Sequence, residues 1–224
     1  DVVQIIEEPT LELTNELMRQ VDTVVATGGM GMVKAAYSSG KPSLGVGQGN
    51  VQVIVDHGVD LDEAAKKIIV GRAFDNGIIC SGEQTVIAPR DIYGDVISAF
   101  LSNGCHYIEN EEEVEKFRSI MYPGGGAISR DVVGQSPNAI ARMAGVAIPE
   151  GVRVLLLKAK GPGKADVLSK EKMCPVMTTY IYDTFEEAVD IARTNLVYEG
   201  AGHTSAIHSH DLQHIEYAGI HLPV

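Results

Sequence analysis

Short apolar runs of strand length alternate with stretches of helical period along most of the chain. Residues 2–6 (VVQII) read as a strand, and 21–27 (VDTVVAT), short and β-branched, as another. Gly28-Gly29-Met30-Gly31 then turns the chain into a helix over 32–39, which Gly40 and Pro42 stop. A strand at 51–55 leads to a helix over 61–74, for which Asp60 and Glu63 form a capping box. Further strands are predicted at 84–88, 105–108, 153–158, 176–182 and 203–208. Helices are predicted at 91–103, at 111–121 with its acidic first turn, at 136–143, at 184–195 with a Thr184/Glu187 capping box, and at 211–217. Strands alternating with helices in this way imply an α/β fold, a three-layer α/β/α arrangement around a mainly parallel sheet.

Composition narrows the function classes. A net charge of −12 and a pI near 4.9 give a surface that repels phosphate backbones, which argues against nucleic acid. No apolar run approaches the ~20 residues that span a bilayer, and residues 1–9 lack the basic and apolar regions of a signal peptide. Three cysteines, Cys80, Cys105 and Cys174, lie far apart without CxxC spacing. That pattern suits a reducing, cytoplasmic setting better than a disulfide framework or a zinc site. Asp1 running straight into a strand, and the ending Leu222-Pro223-Val224, suggest a piece of a longer protein.

Several positions invite chemistry, and each has a plainer reading. Gly28, Gly29 and Gly31 between a strand and a helix offer amide groups to an anion or a nicotinamide ribose, or simply make a tight turn. A second glycine cluster at 45–50 (GVGQGN) permits close approach of a ligand or of another chain segment. Gly161-Pro162-Gly163-Lys164 is no phosphate loop, because Ala165 stands where a hydroxyl is needed. Cys80 follows an Asn76-Gly77 turn and precedes Gly82, on a loop between helix and strand where a thiol can serve as nucleophile or merely pack. Cys105, inside a strand, reads as packing. His208, His210 and His214 have metal-like spacing, yet no cysteine or paired carboxylate completes a site, so no metal is expected. His203, after two glycines at a strand start, reads as structural when taken alone.

Taken in order, the segments 26–33 (ATGGMGMV), 39–42 (SGKP), 45–50 (GVGQGN), 74–81 (FDNGIICS), 171–175 (EKMCP) and 202–205 (GHTS) resemble the CoA-acylating aldehyde dehydrogenases, including the aldehyde dehydrogenase half of bifunctional aldehyde-alcohol dehydrogenases. The resemblance covers essentially the whole chain. It implies two α/β domains with the active site in the cleft between them: residues 1–47 as the end of a dinucleotide-binding domain, and 48–224 as most of the catalytic domain. It also implies that the family's first half, with much of the adenine site and an oxyanion-hole asparagine, is absent here. By the same resemblance Cys80 is the nucleophile, Glu171 holds the nicotinamide ribose, Gly28, Gly29 and Gly31 lie by the nicotinamide end of NAD, and His203 lies near the thioester chemistry. The implied reaction converts an aldehyde, coenzyme A and NAD to acyl-CoA and NADH, reversibly, with a homo-oligomer expected of the full-length protein. Hydrolytic aldehyde dehydrogenases carry a glutamate five residues before the asparagine that aligns with Asn50; here that position is Gly45, which favours CoA over water. Two other readings stay open: a hydrolytic aldehyde dehydrogenase, and a non-catalytic assembly module.

Overall fold

The computed structural model describes residues 2–224; Asp1 lies outside the described residues. The chain forms two compact units, one ending at Gln48 and the other running Gly49–Val224.

In the first unit, helix α1 (Leu11–Gln20) is followed by strand β1 (Val24–Thr27), helix α2 (Met30–Tyr37) and strand β2 (Ser43–Val46). The strands pair in parallel, Ala26 opposite Gly45. Residues 2–6 form no strand: Val2, Val3 and Ile5 are exposed and find no partner strand, and apolar content alone does not make a ladder. Helix α1 is mostly polar and buries only Met18, and Thr10 caps it by accepting from the Leu13 amide at 3.1 Å.

The second unit contains β3 (Gln52–Val55), α3 (Leu61–Ala73), β4 (Thr85–Pro89), α4 (Tyr93–Ser102), β5 (Cys105–Ile108), α5 (Glu111–Met121), α6 (Pro137–Ala144), β6 (Val154–Lys158), β7 (Val176–Tyr182), α7 (Phe185–Tyr198), β8 (Ser205–His208) and α8 (Leu212–His221). Its six strands form one parallel sheet in the order β5-β6-β7-β4-β3-β8. Alternate residues face opposite layers. Val53, Val55, Val86, Ala88, Leu156 and Met177 pack with α3 and α4. Leu155, Leu157 and Val176 pack with α5 and α6, and Ile54, Ile87, Tyr180 and Tyr182 with α7 and α8. The three-layer α/β/α arrangement is therefore the one the hydrophobic pattern predicts. Burial on both faces explains why β6 reads as a run of apolar residues instead of alternating. Thr184 caps α7 through the Glu187 amide at 3.3 Å, while the Glu187 carboxylate accepts from Asp183, one residue earlier than a capping box requires.

Candidate active site

Four neighbouring strands, β7, β4, β3 and β8, run parallel, so the segments that lead into them lie side by side at one edge of the sheet. Those segments are 171–175, 80–84, 49–51 and 199–204, and they carry Glu171, Cys80, Asn50 and His203. The positions picked from the second unit thus share the amino-terminal edge of its sheet. Open α/β sheets more often hold ligands at the carboxyl edge.

Cys80 is half-buried, on the loop between α3 and β4. The turn that delivers it bends sharply: Asp75 and Asn76 both have φ 48, and Gly77 has φ 71. Left-handed backbone of this kind suits Asn, Asp and Gly, which explains the residues found there. Gly49 lies flat against the nucleophile loop: a Cβ on it would overlap the Cys80 carbonyl oxygen and come within 3.3 Å of the Cys80 Cβ. The Gly49 amide donates to Glu171 Oε1 at 3.1 Å, so the segment between Cys80 and Glu171 is bridged by one residue. Gln84 closes the arrangement, its Nε2 donating to the Gly49 carbonyl at 3.0 Å and its Oε1 accepting from the Lys172 amide at 2.5 Å.

Glu171 is itself well anchored. Its amide donates to Glu199 Oε1 at 2.9 Å, and its carbonyl accepts from the Tyr122 hydroxyl at 2.8 Å. Burial raises the pKa of its carboxyl above the ordinary value, and the Gly49 amide partly offsets that. Asn50 is fully buried and donates through Nδ2 to the carbonyls of Ser169 and Glu199, at 2.6 and 3.0 Å. Gly200, with φ 104, lies against Asn50, where a side chain would meet the Asn50 Cβ at 2.5 Å. His203 is half-buried, and its Nδ1 is enclosed with no hydrogen-bond partner. Glu83, three residues past Cys80, has an enclosed Oε2 with no partner, and burial raises its pKa.

Cys105 and Cys174 are buried thiols whose pKa burial pushes up to about 12 and about 11, so neither is a ready nucleophile. The histidine cluster has a structural explanation: His214 Nδ1 bonds Asp56 at 2.7 Å, and its ring stacks on Phe185 at 4.0 Å. Among the described residues no three His, Cys, Asp or Glu side chains are grouped to hold a metal, and no helix is long and apolar enough to cross a membrane.

In the first unit Gly29 caps α2 without a side-chain bond, and a Cβ at Gly29 or Gly31 would meet nothing within 4 Å. Gly28 is tied down, its amide donating to the Val46 carbonyl at 3.1 Å. Gly45, from the second glycine cluster, lies in β2, beneath α2: a Cβ there would sit 2.8 Å from Val33 and 2.9 Å from the Tyr37 ring.

Two positions escaped the reading of the sequence. Gln84 carries no signal beyond being polar at a strand start. Arg72 does: it repeats the buried positions Ala65, Ile68 and Ile69 of α3 at helical spacing, which puts a cation on a core-facing stripe.

The aldehyde dehydrogenase family model matches residues 1–104. An acetylating succinate-semialdehyde dehydrogenase of Clostridium kluyveri is 57% identical over 224 residues, which is all of this chain and 49% of that protein. In structure, an acetylating aldehyde dehydrogenase from Geobacillus thermoglucosidasius superposes with a TM-score of 0.92 at 40% identity, over 96% of this chain and 48% of that one. A propionaldehyde dehydrogenase of Rhodopseudomonas palustris, solved with bound CoA and an acylated cysteine, gives 0.86 at 28% identity, over 96% and 48%. The chain therefore spans about half the length of these relatives. In sequence and in fold the chain is similar to the aldehyde dehydrogenases, and over about half of their length to the CoA-acylating ones.

Proposed function

We propose that the whole protein is a CoA-acylating aldehyde dehydrogenase that uses NAD, and that this chain supplies its nucleophile. The observation that carries the reading is the Gly49 bridge, which holds the half-exposed thiol loop of Cys80 next to an anchored carboxyl, Glu171. A bound nicotinamide supplies the hydride acceptor. In the second unit Glu171 suits such a cofactor, its Oε1 taken by an amide and its Oε2 left for ribose hydroxyls; in the first unit, taken by itself, Gly29 and Gly31 leave open space where side chains would stand. Gly28 sets the turn ahead of them.

The chain's own part is covalent. The Cys80 thiolate attacks the aldehyde carbonyl, forming the C–S bond and a hemithioacetal oxyanion. The Cys80 amide is one donor to that oxyanion, a contribution worth about 3 kcal/mol where such donors have been removed. Departure of the carbinol hydride with its electron pair leaves a thioester on Cys80. The CoA thiol, losing its proton, attacks the thioester; the C–S bond to Cys80 breaks, and acyl-CoA leaves with the thiolate restored. His203, its Nδ1 enclosed and unpaired, is the group proposed to hold a proton near this exchange.

The name of the 57% identical relative makes succinate semialdehyde the first substrate to try, with acetaldehyde beside it. The test is mass spectrometry of full-length protein given aldehyde and NAD without CoA. An acyl mass on Cys80 is expected; the same mass on Cys105 or Cys174 instead would sink the assignment.

A further inference from the structure

Arg72 is fully enclosed, and a guanidinium keeps its proton under any condition in which the protein folds. Its partners are peptide carbonyls. Nε donates to Cys174 at 2.9 Å and Nη2 to Gly77 at 3.2 Å, and Nη2 also meets the carbonyls of Lys172 and Cys174. Burying a cation is costly unless its donors are matched; here carbonyl oxygens take the place of a carboxylate at Nε and Nη2, while Nη1 is enclosed without a partner.

The carbonyls come from two separate segments. Gly77 belongs to the turn that feeds Cys80, whereas Lys172 and Cys174 follow Glu171. The two are in contact at the clamp: a Cβ on Gly77 would lie 2.6 Å from the Cys174 carbonyl and 2.9 Å from Arg72 Nη2. Glycine at φ 71 is what lets them meet. A planar fork fixes both the distance and the angle between the groups it joins, which a flexible ammonium does not. On the far side the same two segments are joined again through Gly49, by its contact with Cys80 and its bond to Glu171.

Resting on the reaction proposed above, we infer that Arg72 is a positioning residue: its enclosed guanidinium ties the turn before Cys80 to the segment after Glu171, and so sets the placement of thiol and carboxylate relative to each other. Hydride departure needs both groups placed. Attack of CoA on a preformed thioester needs Cys80 but not Glu171. The two half-reactions therefore respond differently when the clamp loosens.

The test uses the full-length protein and its Arg72→Lys variant, with acetaldehyde as probe. Single-turnover NADH formation reads the first half-reaction. Release of acetyl-CoA from enzyme acetylated by p-nitrophenyl acetate reads the second. Arg72→Lys is expected to slow the first at least ~tenfold, as small misplacements do, and to leave the second within about threefold. Arg118→Lys is the control, because Arg118 is also enclosed but clamps Asp166; it should lower thermal stability without altering the ratio of the two rates. Gly77→Ala pries at the same clamp and should reproduce the Arg72→Lys pattern, which covers the case of a lysine variant that does not fold. Equal losses in both half-reactions, or no loss in either, would overturn the positioning role. Wild-type protein that takes no acyl group on Cys80 in either assay would overturn the reaction itself.

Discussion

The carboxyl of Glu171 accepts the amide proton of Gly49 at 3.1 Å, across 122 positions of sequence. One oxygen is thereby committed to the protein and the other is left for hydroxyl donors. Glu171→Gln keeps the size of the group but halves its accepting capacity. It is expected to slow hydride transfer by one to two orders of magnitude, as the loss of a charge-assisted pair would, and to spare CoA attack on a preformed thioester. Burial raises the Glu171 pKa, so the ionised form is lost on acidification at a higher pH than an ordinary glutamate would show. The acid limb of the hydride step should therefore move in the Gln variant. Single-turnover rates across pH check both; a variant that lost CoA attack and kept hydride transfer would place the role elsewhere.

Gly49 and Gly29 make a matched pair of tests, since one has no room for a methyl group and the other has open space. Gly49→Ala drives a Cβ into the Cys80 carbonyl. It should cost about 1–3 kcal/mol, as overpacking does, and should slow alkylation of Cys80 by iodoacetamide. Gly29→Ala meets nothing within 4 Å and has φ −63, which alanine adopts freely. Its stability should stay within ~0.5 kcal/mol of wild type, so any rise in KM for NAD reports on the ligand and not on folding. Unchanged Cys80 alkylation in Gly49→Ala would mean the loop relaxes away from the contact.

Much of this architecture is legible in the sequence because its elements are locally self-sufficient. The strands 105–108 and 176–182 and the helix 111–121 have their predicted bounds, since β-branched and apolar runs or an acidic first turn specify them without help. Helix α1 was missed although its Thr10 cap is a local signal, whereas the other misreadings turn on distant partners. β2 (Ser43–Val46) includes a glycine and becomes a strand by pairing with β1, and residues 2–6 have strand composition but no partner. In the candidate site, Cys80 and Glu171 are recognisable by motif. The Gly49 bridge reaches 31 and 122 positions, to Cys80 and Glu171, and the Arg72 clamp reaches 100 and 102, to Lys172 and Cys174; no local pattern carries such a pairing. The core-facing position of Arg72 was nonetheless readable from the period of α3.

Lys172 gives a pH signature of stability. It is fully buried, donates only to the Lys170 carbonyl at 3.0 Å, and its pKa is lowered to about 7, first by burial and then by the neighbouring Arg72 cation. Folded Lys172 gives up its proton near pH 7, while in the unfolded chain it does so near 10.5. Between those values the unfolded chain binds more protons, so this group makes stability rise with pH, by at most ~1.4 kcal/mol per unit. Below pH 7 its cost is felt in full. Lys172→Met should therefore flatten the rise in stability between pH 7 and 8.5, the buried thiols contributing equally in both proteins. Urea unfolding of both proteins at several pH values measures it, and parallel slopes would show that Lys172 does not titrate in this range.

On the proposed reading the choice between CoA and water turns on Gly45, and its packing changes how that must be tested. The hydrolytic relatives carry a glutamate at the aligned position, and a positioned base is worth about 100-fold or more to an attacking water. A thiolate needs no such help, so turnover by the full-length wild type is expected to depend strongly on CoA. The direct reversal, Gly45→Glu, runs into packing. Gly45 sits in β2 opposite Ala26, with its Cβ position 2.8 Å from Val33 and 2.9 Å from the Tyr37 ring, and its amide donates to the Tyr37 hydroxyl at 3.2 Å. Glycine is required there for α2 to lie on the strand pair, whatever its part in product choice. Gly45→Glu alone should lose about 1–3 kcal/mol of stability from overpacking. Val33→Ala with Tyr37→Ser opens the space, so the triple variant is the fair test: it should release more free acid without CoA than Val33→Ala/Tyr37→Ser alone. NADH formation with and without CoA, with acid and acyl-CoA quantified, decides the matter. Brisk acid formation by the wild type in the absence of CoA would mean that another residue already activates water, and the acylating assignment would fall.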